Sequence, residues 1–150
     1  MSVSVAIEPA RQPDVERLLD GIEAFALSLY PADSCYLLDI SELEEPGVDV
    51  FVARVDGVAL GMAALVPYPD YAELKRLFVD DEARGRGLAG ALLRAVEDRA
   101  REQGCTLARL ETGPKSVAAI ALYEKHGYRR IPNFGQYEGD PHSYCMEKAL

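Results

Sequence analysis

A chain of 150 residues suits one domain, residues 1–150, built around one core. Its 49% hydrophobic and 27% charged content is a globular profile and excludes wholesale disorder, while a net charge of −9 excludes the basic footprint of a general nucleic-acid binder. No segment reaches the roughly 18 apolar residues needed to cross a bilayer. Met1 to Gln12 carries Glu8 and Pro9 with no apolar stretch of the signal-peptide kind, so a cytoplasmic protein without membrane contact is expected. An acidic surface favours cationic small molecules by raising their local concentration, but it serves solubility first.

Ser4 to Glu8 reads as a short strand. Pro13 stands where a helix starts, and Val15, Leu18, Leu19, Ile22 and Phe25 recur at helical spacing up to Leu29, with Tyr30-Pro31 as the stop. Residues 31–47 are mixed: Tyr36, Leu37, Leu38 and Ile40 suggest a short helix, and Pro46-Gly47 a turn. Val50 to Val55 and Val58 to Val66 flank Asp56-Gly57, a two-residue hairpin signal. Glu73 to Val79 reads as a further strand. Simple alternation there puts Leu74, Arg76 and Phe78 on one face and Glu73, Lys75, Leu77 and Val79 on the other.

From Arg84 the period becomes helical, with Leu88, Leu92, Ala95 and Val96 as the stripe and Gly104 as the stop. Leu107 to Thr112 is a strand. Ser116 is placed to cap a helix containing Val117, Ile120, Leu122 and Tyr123, which Gly127 ends. Tyr128 to Ile131 and Ser143 to Lys148 read as closing strands. Together the elements predict a mixed α/β sheet with helices on both faces. Cys35, Cys105 and Cys145 are an odd, scattered set, neither a disulfide framework nor a zinc motif, and read as small core residues.

The chemistry concentrates in Arg84-Gly85-Arg86-Gly87-Leu88-Ala89-Gly90, which joins a strand to a helix. N–H groups at a helix start have no intrahelical partner, and the helix dipole there favours negative charge. Glycines let those groups approach a phosphate, and Arg84 and Arg86 add cationic donors. Gly85, Gly87 and Gly90 also spell GxGxxG, with Glu111 21 residues beyond Gly90, as in a dinucleotide fold. Against that, Asp80, Asp81, Glu82, Ala83 and Arg84 separate the strand from the glycines, and too little chain follows for a doubly wound sheet.

Leu77-Phe78-Val79, then acidic residues, then Arg84-x-x-Gly87-x-Ala89 resembles motif A of the GNAT N-acetyltransferase family, written Arg/Gln-x-x-Gly-x-Gly/Ala. Ala119-Ile120-Ala121-Leu122-Tyr123-Glu124-Lys125-His126-Gly127-Tyr128 is similar to that family's A-x-x-L-Y-x-x-x-G-F/Y helix. The resemblance spans nearly the whole chain. It implies a mostly antiparallel central sheet of about six to seven strands, splayed between its two central parallel strands. It implies an acetyltransferase that moves an acetyl group from acetyl-CoA to a primary amine by direct attack in a ternary complex, with no metal. Small-molecule acceptors are favoured over peptides, and a homodimer through the closing strands is a further implication. The alternatives are a catalytically silent CoA-binding or partner-binding module, and a nicotinamide-dependent oxidoreductase.

Carried over residue by residue, the backbone of Leu77, Phe78 and Val79 pairs with the pantetheine arm, and Arg84, Gly85, Arg86, Gly87, Leu88, Ala89 and Gly90 hold the pyrophosphate. Many relatives have an asparagine after the second central strand; here Thr112-Gly113-Pro114-Lys115-Ser116 has none, leaving Thr112 or Ser116 to substitute. Tyr123 matches the family's acid for the leaving thiolate; without the motif it reads as a core aromatic. Glu73 is the first candidate for the base because its face is shared with Leu77 and Val79, with a solvated pairing to Lys75 as the plain alternative and Glu111 in reserve. His126 reads as a structural residue at a helix C-terminus. His142 and Cys145 lack a third group that would make them a nucleophilic pair. Residues 131–141, with Tyr30 to Tyr36, are expected either to line the acceptor pocket or to form an ordinary wide hairpin or a dimer contact.

Overall fold

Asp56 and Gly57 both take positive φ, 50° and 86°, which gives the hairpin turn the twist its strands need. Around that hairpin the chain builds β1 (Val3–Ile7), α1 (Pro13–Leu29), α2 (Ile40–Leu43), β2 (Asp49–Val55), β3 (Val58–Pro67), β4 (Ala72–Val79), α3 (Leu88–Glu102), β5 (Leu107–Thr112), α4 (Val117–Lys125), β6 (Arg129–Ile131) and β7 (Tyr144–Ala149). The computed structural model describes residues 2–35 and 39–150. The short helix expected around Tyr36 to Ile40 falls partly outside the described residues; α2 begins at Ile40, behind an Asp39 cap that forms a reciprocal box with Glu42.

The seven strands form one sheet in the order β1-β2-β3-β4-β5-β7-β6, with β4–β5 parallel and every other described pair antiparallel. Period-2 alternation divides the core. Val50, Val52, Met62 and Ala64 face α1, which buries Val15, Leu18 and Ile22 against them. Phe51, Ala53, Ala63, Leu65, Leu74 and Leu110 face α3, which contributes Leu88, Leu92, Leu93, Val96 and Ala100. Each Val, Leu, Ile, Phe or Met side chain among them, fully buried, is worth about 1.5–3 kcal/mol relative to exposure. Helices on both faces of a mostly antiparallel sheet agree with the reading from sequence.

Simple alternation fails in β4. Met62 pairs with Phe78 and Ala64 with Lys75, so Arg76 and Leu77 together oppose Ala63 in a β-bulge. Arg76 sits in the left-handed region, φ 59°, a conformation that costs a non-glycine residue about 1–3 kcal/mol. The extra residue reverses the parity of everything after it. Leu77 and Val79 therefore join Leu74 on the α3 side, while Phe78 packs on the α1 side over Gly21. Glu73 thus does not share a face with Leu77 and Val79, contrary to the alternation expected from sequence.

The parallel pairing of β4 with β5 covers only Ala72–Leu74 against Ala108–Leu110, after which the two strands part. Tyr30, the residue that ends α1, spans the parting. Its hydroxyl is 2.9 Å from Ser116 Oγ and accepts from the Lys115 N–H at 3.0 Å. Ser116 precedes α4 but makes no side-chain cap hydrogen bond; its hydroxyl is engaged by Tyr30 instead. A Cβ on Gly113 would land on the Tyr30 hydroxyl and ring. Gly113→Ala should therefore lower stability by about 1–3 kcal/mol, seen as a lower denaturant midpoint. Tyr30→Phe should cost about 1 kcal/mol, and pairing it with Gly113→Ala should cost less than the sum of the two.

Candidate active site

The turn before α3 is shaped for an anion. Gly85 and Gly87 take φ 81° and 74°, and added Cβ atoms there would meet nothing within 4 Å. Conformation and not crowding accounts for glycine at both. Gly87 caps α3 without a side-chain hydrogen bond, and the N–H groups of Leu88, Ala89 and Gly90 are the helix's unpartnered first turn. Arg84 stands at the rim, its Nε 2.8 Å from Asp81 Oδ1. Asp81, which a phosphate would repel, is thereby paired with a cation.

The gap between β4 and β5 opens into a cavity of about 930 Å³ that passes from this turn to the end of α1. Leu77, Phe78, Val79, Arg84, Gly85, Gly87, Leu88, Ala89, Gly90, Thr112, Ser116 and Tyr123 all line it. Arg86, expected beside Arg84, does not; it is exposed, between two glycines of positive φ. Beyond Leu74, the β4 edge facing β5 has no strand partner, while its other edge pairs Phe78 with Met62 and Val79 with Gly61. Leu77 to Val79 thus offer backbone donors and acceptors to whatever occupies the cavity.

The wall contains residues that sequence reasoning missed or set aside. Arg94 and His126 flank Gly90: its added Cβ would lie 3.2 Å from Arg94 Nη1 and 3.5 Å from His126 Nε2. An arginine two turns into the predicted helix is a signal that helix geometry alone could have supplied. Among the described residues, Arg76, Arg84, Arg94, Lys115 and Lys125 line the cavity against a single carboxylate, Glu111. His142 completes the far end, edge-on to Tyr30 with ring centroids 6.4 Å apart. Among the described residues no group of three or more His, Cys, Asp or Glu is arranged to hold a metal ion.

Glu111 follows the last rung that β5 shares with β4, and Ser143 Oγ donates to it at 2.8 Å. Burial pushes its carboxyl up to about 7, a rise that the Ser143 hydrogen bond and the charges of Lys75 and Arg76 oppose. Tyr123 is buried on α4; its hydroxyl makes no hydrogen bond to a described residue, and its ring lies edge-on to Tyr128 at 5.8 Å. Burial, with the nearby Glu111 charge, raises its phenol well above the ordinary range and keeps it protonated. Cys145 is fully buried and its thiol is raised to about 11 by burial, so it forms no nucleophilic pair with His142 at the cavity.

Glu73 is elsewhere. It is 2% exposed and absent from the cavity wall. Tyr137 donates to Glu73 Oε2 at 2.6 Å, Lys75 Nζ donates to the Tyr137 hydroxyl at 3.0 Å, and Lys75 stands 3.4 Å from Glu73. The Glu73–Lys75 pair anticipated as solvated is therefore buried. Residues 131–141 supply its cover and do not line the cavity. Phe134 and Tyr137 pack with Cys145, Ile131 and Tyr71, and the Arg109 guanidinium lies 4.8 Å over Tyr71 and 5.2 Å over Phe134. From the segment expected to join them, Tyr30, Ser34 and Cys35 do reach the cavity; Tyr36 lies outside the described residues.

A sheet that parts beside a glycine-shaped helix start, with a carboxylate and a phenol in the gap, is an arrangement able to hold a long, anionic ligand. The chain belongs to the Acetyltransferase (GNAT) family, which residues 15–128 match. It is 38% identical over 151 residues to an IAA acetyltransferase of Azospirillum brasilense, covering 99% of both chains. A crystal structure of a protein described as an acyl-CoA N-acyltransferase from Klebsiella pneumoniae superposes with a TM-score of 0.87 at 33% identity, over 99% of this chain and 97% of that one. The PaiA N-acetyltransferase of Thermoplasma acidophilum, solved with coenzyme A, shares the fold at TM-score 0.77 and 19% identity, over the whole of both chains. The protein is an acetyltransferase with the splayed sheet the resemblance implied. No helix among the described residues is long and apolar enough to cross a membrane.

The raised Glu111 carboxyl makes stability pH-dependent. Between pH 4.5, the ordinary value, and about 7, the unfolded chain has released a proton that the native state still holds. Native protein then binds more protons, so stability falls as pH rises through this window. Glu111→Gln cannot ionise and should lack that fall. Denaturant melts at pH 4 and pH 8 should show the variant gaining on the natural protein by up to ~3 kcal/mol across the window. A difference that does not change with pH would give Glu111 an ordinary carboxyl.

Proposed function

We propose that the protein transfers the acetyl group of acetyl-CoA to the primary amine of a small molecule by direct attack within a ternary complex. The observation that carries this reading is the cavity running from the α3 cradle through the strand gap to Glu111 and Tyr123. Such a passage lets donor and acceptor approach from opposite faces of the sheet. The name of the Azospirillum relative, an IAA acetyltransferase, supports a small acceptor.

In this reading the first-turn N–H groups of α3, with Arg84 and Arg94, hold the donor's phosphates. The open edge of Leu77 to Val79 binds its pantetheine arm, and a backbone N–H near the bulge polarises the thioester carbonyl. Thr112 and Ser116 border the same path. Glu111 takes a proton from the acceptor ammonium; its carboxyl near 7 suits it to exchange protons at neutral pH. The freed amine nitrogen bonds to the carbonyl carbon, the carbon–sulfur bond breaks as Tyr123 gives its proton to the departing thiolate, and the second proton that the nitrogen sheds on becoming an amide restores the Tyr123 phenol. Glu111, not Glu73, is our choice for the base. Glu73 is hydrogen-bonded by Tyr137 and buried away from the cavity, so it has no route to an acceptor.

Two measurements test this reading. Calorimetric titration should show saturable acetyl-CoA binding, weakened about tenfold in Arg84→Ala and without a counterpart for NAD. Folded protein that binds no acetyl-CoA would end the proposal. Thiol release with an accepted amine should separate the other two roles. Glu111→Gln should lose about 10²–10⁴-fold in kcat and the rise in rate through pH 7, and Tyr123→Phe should lose kcat with acetyl-CoA affinity kept. Full turnover by Tyr123→Phe would remove the acid.

A further inference from the structure

We propose that Lys75, held behind the cavity wall by Tyr137 and Glu73, is a positioning residue that acts through Glu111: its ammonium keeps that carboxylate in the charged form that takes a proton from the acceptor. The proposal rests on the acetyl-transfer reading above, in which Glu111 is the base, and adds to it a residue that does not touch substrate.

The last rung shared by β4 and β5 is Leu74 with Leu110. Lys75 and Glu111 each lie one residue beyond it, so they stand opposite one another at the first open rung. They also share a face of the sheet. Lys75 pairs with Ala64, which packs on the α1 side, and Glu111 pairs with Cys145, which packs with Phe134 and Tyr137. Tyr137 in turn accepts from Lys75 at 3.0 Å. Glu111 lines the cavity, whereas Lys75, 8% exposed, does not.

The groups that face Glu111 come from several elements. β4 brings Glu73, Lys75 and Arg76; Ser143 and Cys145 approach from the β7 side, with His142 next to Ser143 on the cavity wall; Tyr137, Tyr123 and Cys35 complete the set. Arg76 also faces Glu42 and lines a second pocket with Glu16, Asp20, Glu23 and Asp39, so its charge is divided between two sites. Lys75 stands between two carboxylates, Glu73 at 3.4 Å and Glu111 across the rung. A buried ion pair is a weak brace, since apolar side chains of similar volume brace as well. What they do not supply is a field at Glu111. Burial raises that carboxyl, the Ser143 hydrogen bond and the Lys75 charge oppose the rise, and Glu73 adds to it. The balance falls at about 7, where a base is free at neutral pH and still accepts a proton well.

The test reads the Glu111 carboxyl titration by carboxyl-carbon NMR, assigned with Glu111→Gln, beside the pH profile of thiol release. Lys75→Met should move both the titration and the rise in rate to higher pH by at least about half a unit, and Glu73→Gln should move both to lower pH. Lys75→Arg, which keeps the charge, should leave both within about 0.3 of a pH unit. A residue that only braces the sheet would lower the denaturant midpoint and kcat in these variants without moving either titration. If Lys75→Met does not fold, the nearly isosteric Glu73→Gln still decides the sign. Folded variants that titrate where the natural protein does would overturn the proposal and leave acetyl transfer standing. If the carboxyl titration moves as stated and the rate profile does not follow, Lys75 acts on Glu111 but Glu111 is not the base, and that part of the transfer reading falls.

Discussion

The rest of the structure depends on the end of pairing between β4 and β5 after Leu74 and Leu110. Backbone N–H and C=O groups are obligatory hydrogen-bonding groups, and a sheet that opens in its middle leaves a row of them without strand partners. Such an opening persists only if neighbouring elements hold the strands apart and something other than a strand fills the gap. Here α1 packs its Val15, Leu18 and Ile22 stripe on one face, and Tyr30 at its end reaches over to Lys115 and Ser116 beyond β5. On the other face α3 delivers a helix N-terminus to the same opening. A cavity with hydrogen-bonding walls follows from the parting.

Two sets of polar side chains near the gap divide the work. At the closed end, Glu73, Lys75 and Tyr137 satisfy one another beneath the Phe134 cluster. Removing one member of a buried, paired set strands its partners at a cost of about 3–5 kcal/mol, so this network fixes the strands where they still pair. At the open end, the Tyr123 hydroxyl has no hydrogen-bond partner among the described residues, and the Glu111 carboxylate has Ser143. The satisfied groups brace the strands, and the two at the open end are those to which the proposed acetyl transfer gives the proton transfers. Burial acts on both alike, holding the phenol protonated and bringing the carboxyl near neutrality.

Much of this was legible in the sequence. Hairpin, motif strand, glycine turn and the Tyr123 helix each follow from local period or turn chemistry, and their order already implied layered α/β packing. The illegible parts are non-local. The bulge at Arg76 has no composition signal, since nothing in Glu-Leu-Lys-Arg-Leu-Phe-Val marks an extra residue opposite Ala63, and one residue of slip exchanges the faces of all that follow. That slip is why Glu73 looked like a companion of Leu77 and Val79. The burial of residues 131–141 depends on contacts with Glu73 and Lys75 more than 60 positions earlier, which no window of sequence contains. Ser116 carried a sound capping signal that lost to a hydroxyl arriving from Tyr30.

Net charge shows the same limit from the electrostatic side. The chain holds 25 acidic and 16 basic residues, yet the described cavity wall carries five Lys and Arg against one Glu. A surface average says little about a cleft, because low-dielectric walls strengthen the field of the charges that line it. An acidic exterior with a basic interior passage suits a donor that carries several phosphates, since the anion gains most where water is least able to screen it. The exterior then serves solubility, and the negative charge of Glu111 among the described cations of the wall is the feature that the proposed acetyl transfer matches to an acceptor ammonium.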